Sequence, residues 1–154
     1  MSGPPPARFP SLDVLALDGP PRDLSQRAQP TLVVLGHADC GTTRLLLPFL
    51  ERIHLRRRQG TEVALVLQDA PPEARALARE YGLTLPVLLD REPWPLGQAL
   101  GARTVPLTLL LGPGGVVQGS STAFRREDVE RAAAWLGVAP LFTDTDVAPA
   151  LRPG

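Results

Sequence analysis

Lysine and asparagine are absent from this chain, and isoleucine and cysteine each occur once. Without lysine, all 16 basic residues are arginine, so the surface offers no titratable side-chain amine. Such gaps fit a coding bias toward GC-rich codons rather than a functional demand. A single cysteine excludes an intramolecular disulfide and a cysteine-rich zinc site, and the two histidines, His37 and His54, are too few to build one alone. Neither a metal nor a cofactor is expected. Neither sign of charge dominates: 16 acidic residues balance the 16 basic ones, so nothing in the net charge draws the chain toward nucleic acid or an anionic membrane. No stretch approaches the roughly 20 apolar residues of a membrane span, and the segment from Met1 to Arg8 lacks the apolar run of a signal peptide. A soluble, cytoplasmic protein is the expectation, as a monomer or a weak dimer.

What is present is enough for one domain: 154 residues, 44% of them hydrophobic. The chain is organised around the stretch from Thr31 to Phe49. Leu32 to Leu35 is a short apolar run that predicts a buried strand. From Thr43 onward Leu46, Phe49, Leu50 and Ile53 recur at helical spacing, predicting a helix over about residues 41 to 58 with Pro48 inside it. Cys40 therefore stands at a helix start, where backbone N–H groups lack intrahelical partners and the helix dipole favours an anion such as a thiolate.

The rest of the chain supplies the setting. Leu12 to Leu17 predicts a strand ended by Asp18-Gly19, and Glu62 to Leu67 a second buried strand after Gly60. Ala70-Pro71-Pro72 opens a helix with Ala74, Leu77, Ala78 and Tyr81 facing inward and Gly82 as its cap. Pro86 to Leu89 reads as a short strand, and Leu96 to Leu100 as a small helix. Leu107 to Leu111 is a strand, and Gly112-Pro113-Gly114-Gly115 turns Val116 and Val117 back antiparallel to it. A last helix covers about residues 125 to 136, with Val129, Ala132, Ala133 and Leu136 inward. The alternation of strand and helix followed by a hairpin implies a mixed sheet covered on both faces.

This order resembles the thioredoxin fold, in its longer TlpA-like and AhpC/TSA-like (redoxin) branch. There a strand leads to W-C-x-x-C at a helix start, and Asp39-Cys40-Gly41-Thr42-Thr43 takes that place here. The family's helix proline, eight positions after the first cysteine, matches Pro48, and Val105-Pro106 looks like the family's cis-proline. The segment from Ala78 to Asp90 resembles the inserted β-α element of the longer branch. The resemblance implies a three-layer α/β/α sandwich with a mixed central sheet, an N-terminal extension and a central β-α insertion. It covers about residues 9 to 137, leaving residues 1–8 as a flexible proline-rich arm and 138–154 as a C-terminal tail without clear period. Thr104, Val105 and Pro106 are by this resemblance the substrate-binding segment.

The departures narrow the chemistry. Asp39 replaces the tryptophan, Thr43 replaces the second cysteine, and Val34 stands where thioredoxin carries its buried acid. The dithiol cycle of thioredoxin cannot run inside this chain. Around Cys40, His37 is a candidate to stabilise the thiolate or shuttle a proton, against the plainer reading of a polar strand-end residue. Thr43 is a candidate to donate its hydroxyl to the sulfur, against a plain helix-start threonine. Asp39 either opposes the thiolate by like charge, caps the helix or faces solvent. Arg56, Arg57 and Arg58 complement a helix C-terminus better than they would form a nucleic-acid site.

Three functions fit these residues. A monothiol oxidoreductase would exchange Cys40 with a protein disulfide, or have it oxidised, and be resolved by an external low-molecular-weight thiol or thiol protein. A thiol peroxidase is suggested by Cys40-Gly41-Thr42-Thr43, which matches the C-G-x-T segment of glutathione peroxidases. That family's W-N-F motif is absent, however, Gln68 is only a loose match for its glutamine, and Gly36 and His37 break the peroxiredoxin pattern. A non-catalytic module would keep the fold and hold a peptide in the groove beside Pro106.

Overall fold

The computed structural model describes residues 5–154, so the first half of the expected proline-rich arm, residues 1–4, lies outside the described residues. Among the described residues, eight strands and four α-helices follow in the order β1 (Leu15–Ala16), β2 (Thr31–Gly36), α1 (Gly41–Arg56), β3 (Glu62–Leu67), α2 (Pro71–Glu80), β4 (Val87–Leu89), α3 (Pro95–Ala99), β5 (Leu107–Leu111), β6 (Val117–Thr122), β7 (Phe124–Arg125), α4 (Arg126–Trp135) and β8 (Leu151–Arg152). Six strands form one sheet in the order β1-β4-β3-β2-β5-β6, and β7 and β8 form a separate ribbon. β2, β3 and β4 run parallel, whereas β1, β5 and β6 join antiparallel. This is the three-layer thioredoxin-like α/β sandwich with a mixed sheet that the sequence predicts.

The period-2 alternation of β2 and β3 divides the core into its two layers. Leu32, Val34, Val63, Leu65 and Leu67 face one side, where they meet Leu46, Leu50 and Ile53 of α1, Ala74 and Leu77 of α2, and Ala132 and Ala133 of α4. Val33, Leu35, Ala64 and Val66 face the other, where Phe9, Val14 and Leu24 pack with Leu96 and Leu100. The helical layers are unequal. Three helices cover the first face, while one five-residue helix and the N-terminal segment cover the second.

Several expectations need correcting. The first strand is two residues long rather than six, because it opposes only Leu88 and Leu89 of the short β4 before the chain turns at Asp18. The later half of the expected arm is tied down: Val117 N–H donates to Ala7 O at 2.9 Å and Phe9 N–H to Gly115 O at 2.7 Å, so residues 7–9 lie beside the sheet's edge. α1 stops at Arg56. Arg57 Nε then donates to Thr61 O and Arg58 Nη1 to Trp135 O, so this basic run binds backbone carbonyls.

The C-terminal tail departs furthest from a featureless segment. Val138 and Leu141 are buried in the core, and Phe142 meets Phe49 edge-on at 4.7 Å between ring centroids. Arg126 lies 4.3 Å over the Phe142 ring. Arg52 grips both carboxylate oxygens of Asp146, at 2.7 and 3.0 Å. The apolar residues of the tail are spaced by anchoring points on α1 and α4 rather than by a helical or strand period, which is why no period shows.

Candidate functional site

The site lies where the sheet changes direction of winding. β2 has β3 parallel on one side and β5 antiparallel on the other, so the carboxyl end of β2, the carboxyl end of β3 and the start of β5 meet at one edge. Loops at such a switch point form the usual crevice of an open α/β sheet. Residues 37–40 leave β2 there, and residues 104–106 arrive beside them to enter β5.

Cys40 is itself the N-cap of α1, with extended φ/ψ of −90° and 112°. Its sulfur accepts the Thr43 N–H at 3.4 Å and lies 3.5 Å from the Val105 carbonyl oxygen, to which the thiol can donate. The sulfur thus spans the two loops, with a helix-start amide on one side and the Val105–Pro106 segment on the other. It is half-buried and reachable from solvent. The Val105–Pro106 peptide bond is cis, Pro106 is buried, and Thr104 is exposed.

The other candidates are placed differently from their expected roles. Thr43 meets the sulfur with its backbone amide; its hydroxyl oxygen instead accepts the His37 N–H at 3.3 Å. A buried threonine next to a strand end satisfies that strand's last donor before it serves a neighbour on its own helix. Asp39 is no helix cap, since Cys40 holds that position, and its side chain is 95% exposed. The carboxylate therefore points into water, where its repulsion of a thiolate is screened.

His37 turns its ring away from the role of thiolate partner. Nδ1 accepts the Asp39 N–H at 3.1 Å and stands 3.6 Å from Asp69 Oδ1. Nδ1 is thus engaged with the Asp39 amide and the Asp69 carboxylate rather than with the sulfur. His37 also gives its carbonyl to the Cys40 N–H at 3.0 Å, which closes the turn that delivers the thiol.

Two residues at the site carry no motif signal. Asp69 is buried and accepts the Ala38 N–H at 3.0 Å, while Arg44 Nε donates to the Ala38 carbonyl at 2.7 Å. The Ala38 peptide is clamped on both polar atoms, fixing the loop two residues before the thiol. Burial pushes the Asp69 carboxyl above the ordinary aspartate range, against the Ala38 amide and His37, which favour the anion; the charges of Asp39 and Glu73 push the same way as burial. A register argument finds Asp69. Gly36 pairs with Leu67 across parallel β2 and β3, so the residues two positions beyond each, Ala38 and Asp69, are neighbours.

No family model and no curated protein matches the sequence. Solved structures do match in fold. The thioredoxin domain of a thiol-disulfide oxidoreductase from Bacteroides vulgatus aligns with a TM-score of 0.75 and 16% identity, covering 87% of this chain and 98% of that one. A thiol:disulfide interchange protein of the thioredoxin family from Chlorobium tepidum aligns at 0.70 with 18% identity, covering 88% and 99%. A secreted Mycobacterium tuberculosis disulfide oxidoreductase homologous to Escherichia coli DsbE aligns at 0.68 with 14% identity, covering 82% and 96%. At such identities the likeness is one of fold. It runs over nearly the whole length of each neighbour.

Proposed function

We propose that the chain is a monothiol thiol-disulfide oxidoreductase in which Cys40 is the exchanging sulfur. The observation that carries this reading is the position of the thiol: capped by the Thr43 amide at the start of α1, and 3.5 Å from the Val105 carbonyl at the head of β5. A thiolate formed there accepts that amide hydrogen as a charge-assisted bond and lies at the positive end of a 16-residue helix. The thiol-disulfide oxidoreductases that share the fold support the same class of chemistry.

The exchange follows from having one thiol. The Cys40 thiolate attacks one sulfur of a protein disulfide R–S–S–R′, forming the Cys40–S–S–R bond and releasing R′–S⁻, which takes up a proton. No second cysteine is present to resolve this adduct. An external thiolate R″–S⁻, from a small thiol or a thiol protein, attacks the R sulfur, forms R–S–S–R″ and returns the Cys40 thiolate. The net reaction converts R–S–S–R′ and R″–SH to R–S–S–R″ and R′–SH, with no net oxidation. Extended backbone of the protein substrate lies beside Val105, an edge addition.

The test compares second-order rates of Cys40 with a peptide disulfide, with glutathione disulfide and with hydrogen peroxide, using Cys40→Ser as the blank. Exchange well above that of a free cysteine, with trapping of a Cys40 mixed disulfide, is the expected outcome. A faster reaction with peroxide than with either disulfide would move the assignment to a thiol peroxidase. No enhancement toward any of the three would leave a peptide-binding module.

A further inference from the structure

The C-terminal segment does not end clear of the thiol; it crosses the site. β8, Leu151–Arg152, pairs antiparallel with β7, Phe124–Arg125, and the Arg126 N–H donates to Ala150 O at 3.0 Å. This directs the chain across the start of α1. There the Thr42 hydroxyl donates to the Pro153 carbonyl, and the Arg152 guanidinium covers Gly41, so closely that a Cβ on Gly41 would stand 2.5 Å from Nη2. Gly154 then lies on the Val105 peptide: a Cβ there would stand 2.0 Å from Val105 O, 2.9 Å from Val105 C and 3.5 Å from Pro106 N. Gly41 and Thr42 follow Cys40 at the start of α1, and the Cys40 sulfur lies 3.5 Å from the Val105 carbonyl oxygen. Residues 152–154 touch both the start of α1 and the Val105 peptide.

We propose that Leu151–Gly154 is a tethered occupant of the groove beside Pro106, and that a polypeptide disulfide must displace it to reach Cys40. The inference rests on the reading of Cys40 as the exchanging thiol. The segment sits in extended form against the Val105 backbone, where an extended substrate chain would have to lie, and two chains cannot share that carbonyl. Its four residues are all exposed, so it is held at the rim by a two-residue ladder, one hydroxyl bond and close packing rather than by burial. Such a hold is readily broken. The preceding residues are not released with it, because Asp146 stays on Arg52 and Ala148 O accepts from Arg126 Nη1 at 3.1 Å. The occupant therefore returns at the high effective concentration of a short tether. Access for large substrates is set by the fraction of chains with the segment lifted, while a small reagent that fits beneath it is barely affected. The occupant also describes what displaces it: an extended chain with a small residue over Val105 and a basic side chain beside Gly41.

Two full-length variants test this. Gly154→Ala drives a methyl into the Val105 carbonyl and touches no core residue. Thr42→Val keeps the side-chain shape and removes the hydroxyl that holds Pro153. The rates of Cys40 are measured with iodoacetamide, with a maleimide on a large polymer, and with a peptide disulfide, in chains whose melting curves match the parent. Both variants are expected to react roughly tenfold faster with the polymer maleimide and the peptide disulfide, and within about twofold of the parent with iodoacetamide. Equal or slower polymer and peptide rates in both variants overturn the inference. If no chain exchanges with the disulfide but the polymer rate still rises, the exchange reading falls and the occupant stands. If exchange is fast and equal in all three, the occupant falls alone.

Discussion

The Thr43 amide donates to the sulfur of Cys40 at 3.4 Å, so the chain's single thiol is also the N-cap of its longest helix. Reactivity and local stability therefore draw on one atom. Sulfur is a weak acceptor, and the cap it makes strengthens when it carries a negative charge. The helix start and the thiolate favour each other, without help from the Thr43 hydroxyl or the His37 ring.

This arrangement separates two substitutions that look alike to an activity assay. Cys40→Ser and Cys40→Ala both remove the thiol, but serine supplies a cap oxygen and alanine none. Urea unfolding should find Cys40→Ser at least as stable as the parent, and Cys40→Ala less stable than Cys40→Ser by about 1 kcal/mol. Equal stability of the two variants would show that the sulfur does not act as a cap.

Asp69 gives the site a pH signature. Burial raises its carboxyl in the folded chain, with the Ala38 amide and His37 opposing and Asp39 and Glu73 adding to the rise. A carboxyl raised on folding binds its proton more tightly in the native state than in the unfolded one. Its ionisation then costs nothing well below the ordinary value of 3.8, and weakens the fold as pH climbs from there through the raised native value. Asp69→Asn keeps an oxygen for the Ala38 N–H and removes this cost. Its stability relative to the parent should rise between acid and neutral pH, read from urea unfolding at each pH. A difference that is flat or falls with pH would contradict the assignment.

How far the sequence could be read depended on the range of each interaction. β2 and β3 were legible as short apolar runs, α1 and α4 because their apolar residues recur at helical spacing, and Cys40 because it stands where the apolar run gives way to that helical spacing. The Val105–Pro106 segment was placed by its position ahead of an apolar strand. The clamp on Ala38 was not, since Asp69 and Arg44 are polar residues whose meaning depends on a parallel register that no local pattern encodes. The contact of Thr42 with Pro153 joins residues 111 positions apart, and the tail that makes it carries only isolated anchors. The direction of the Thr43 hydroxyl is a choice between two partners, accepting from the His37 amide or donating to the sulfur, that only packing decides.

A buried carboxylate away from the thiol supports the helix that carries it. Glu51 on α1 accepts the Thr84 N–H at 2.8 Å and the Leu85 N–H at 3.1 Å, fixing the loop before β4. Both amides share Oε1, so Glu51→Ala leaves the buried Leu85 amide unpaired and should lower unfolding free energy by about 2 kcal/mol, whereas Glu51→Gln, which keeps that oxygen, should lose well under half of that. Denaturant midpoints at constant m-value decide it; an unaffected Glu51→Ala would mean that water satisfies both amides.

Gly36 controls the site from beneath. It is the last residue of β2, and a Cβ there would stand 2.6 Å from Thr43 Cγ2 and 3.1 Å from Thr43 Oγ1. Thr43 is fully buried, so it has no room to swing outward. Gly36→Ala must push Thr43 along α1, carrying its amide away from the sulfur and its hydroxyl away from the His37 N–H. Overpacking of this kind costs about 1–3 kcal/mol, and the rate of Cys40 alkylation should change with it. Thr43→Ser removes Cγ2 and keeps the hydroxyl, so the double variant Gly36→Ala/Thr43→Ser should recover most of the stability lost by Gly36→Ala and return the alkylation rate toward that of Thr43→Ser alone. The measurement is a double-mutant cycle on urea unfolding and on the alkylation rate. Additive effects in both would show that the strand end and the cap amide are independent, and that the thiol is positioned by the Ala38 clamp alone.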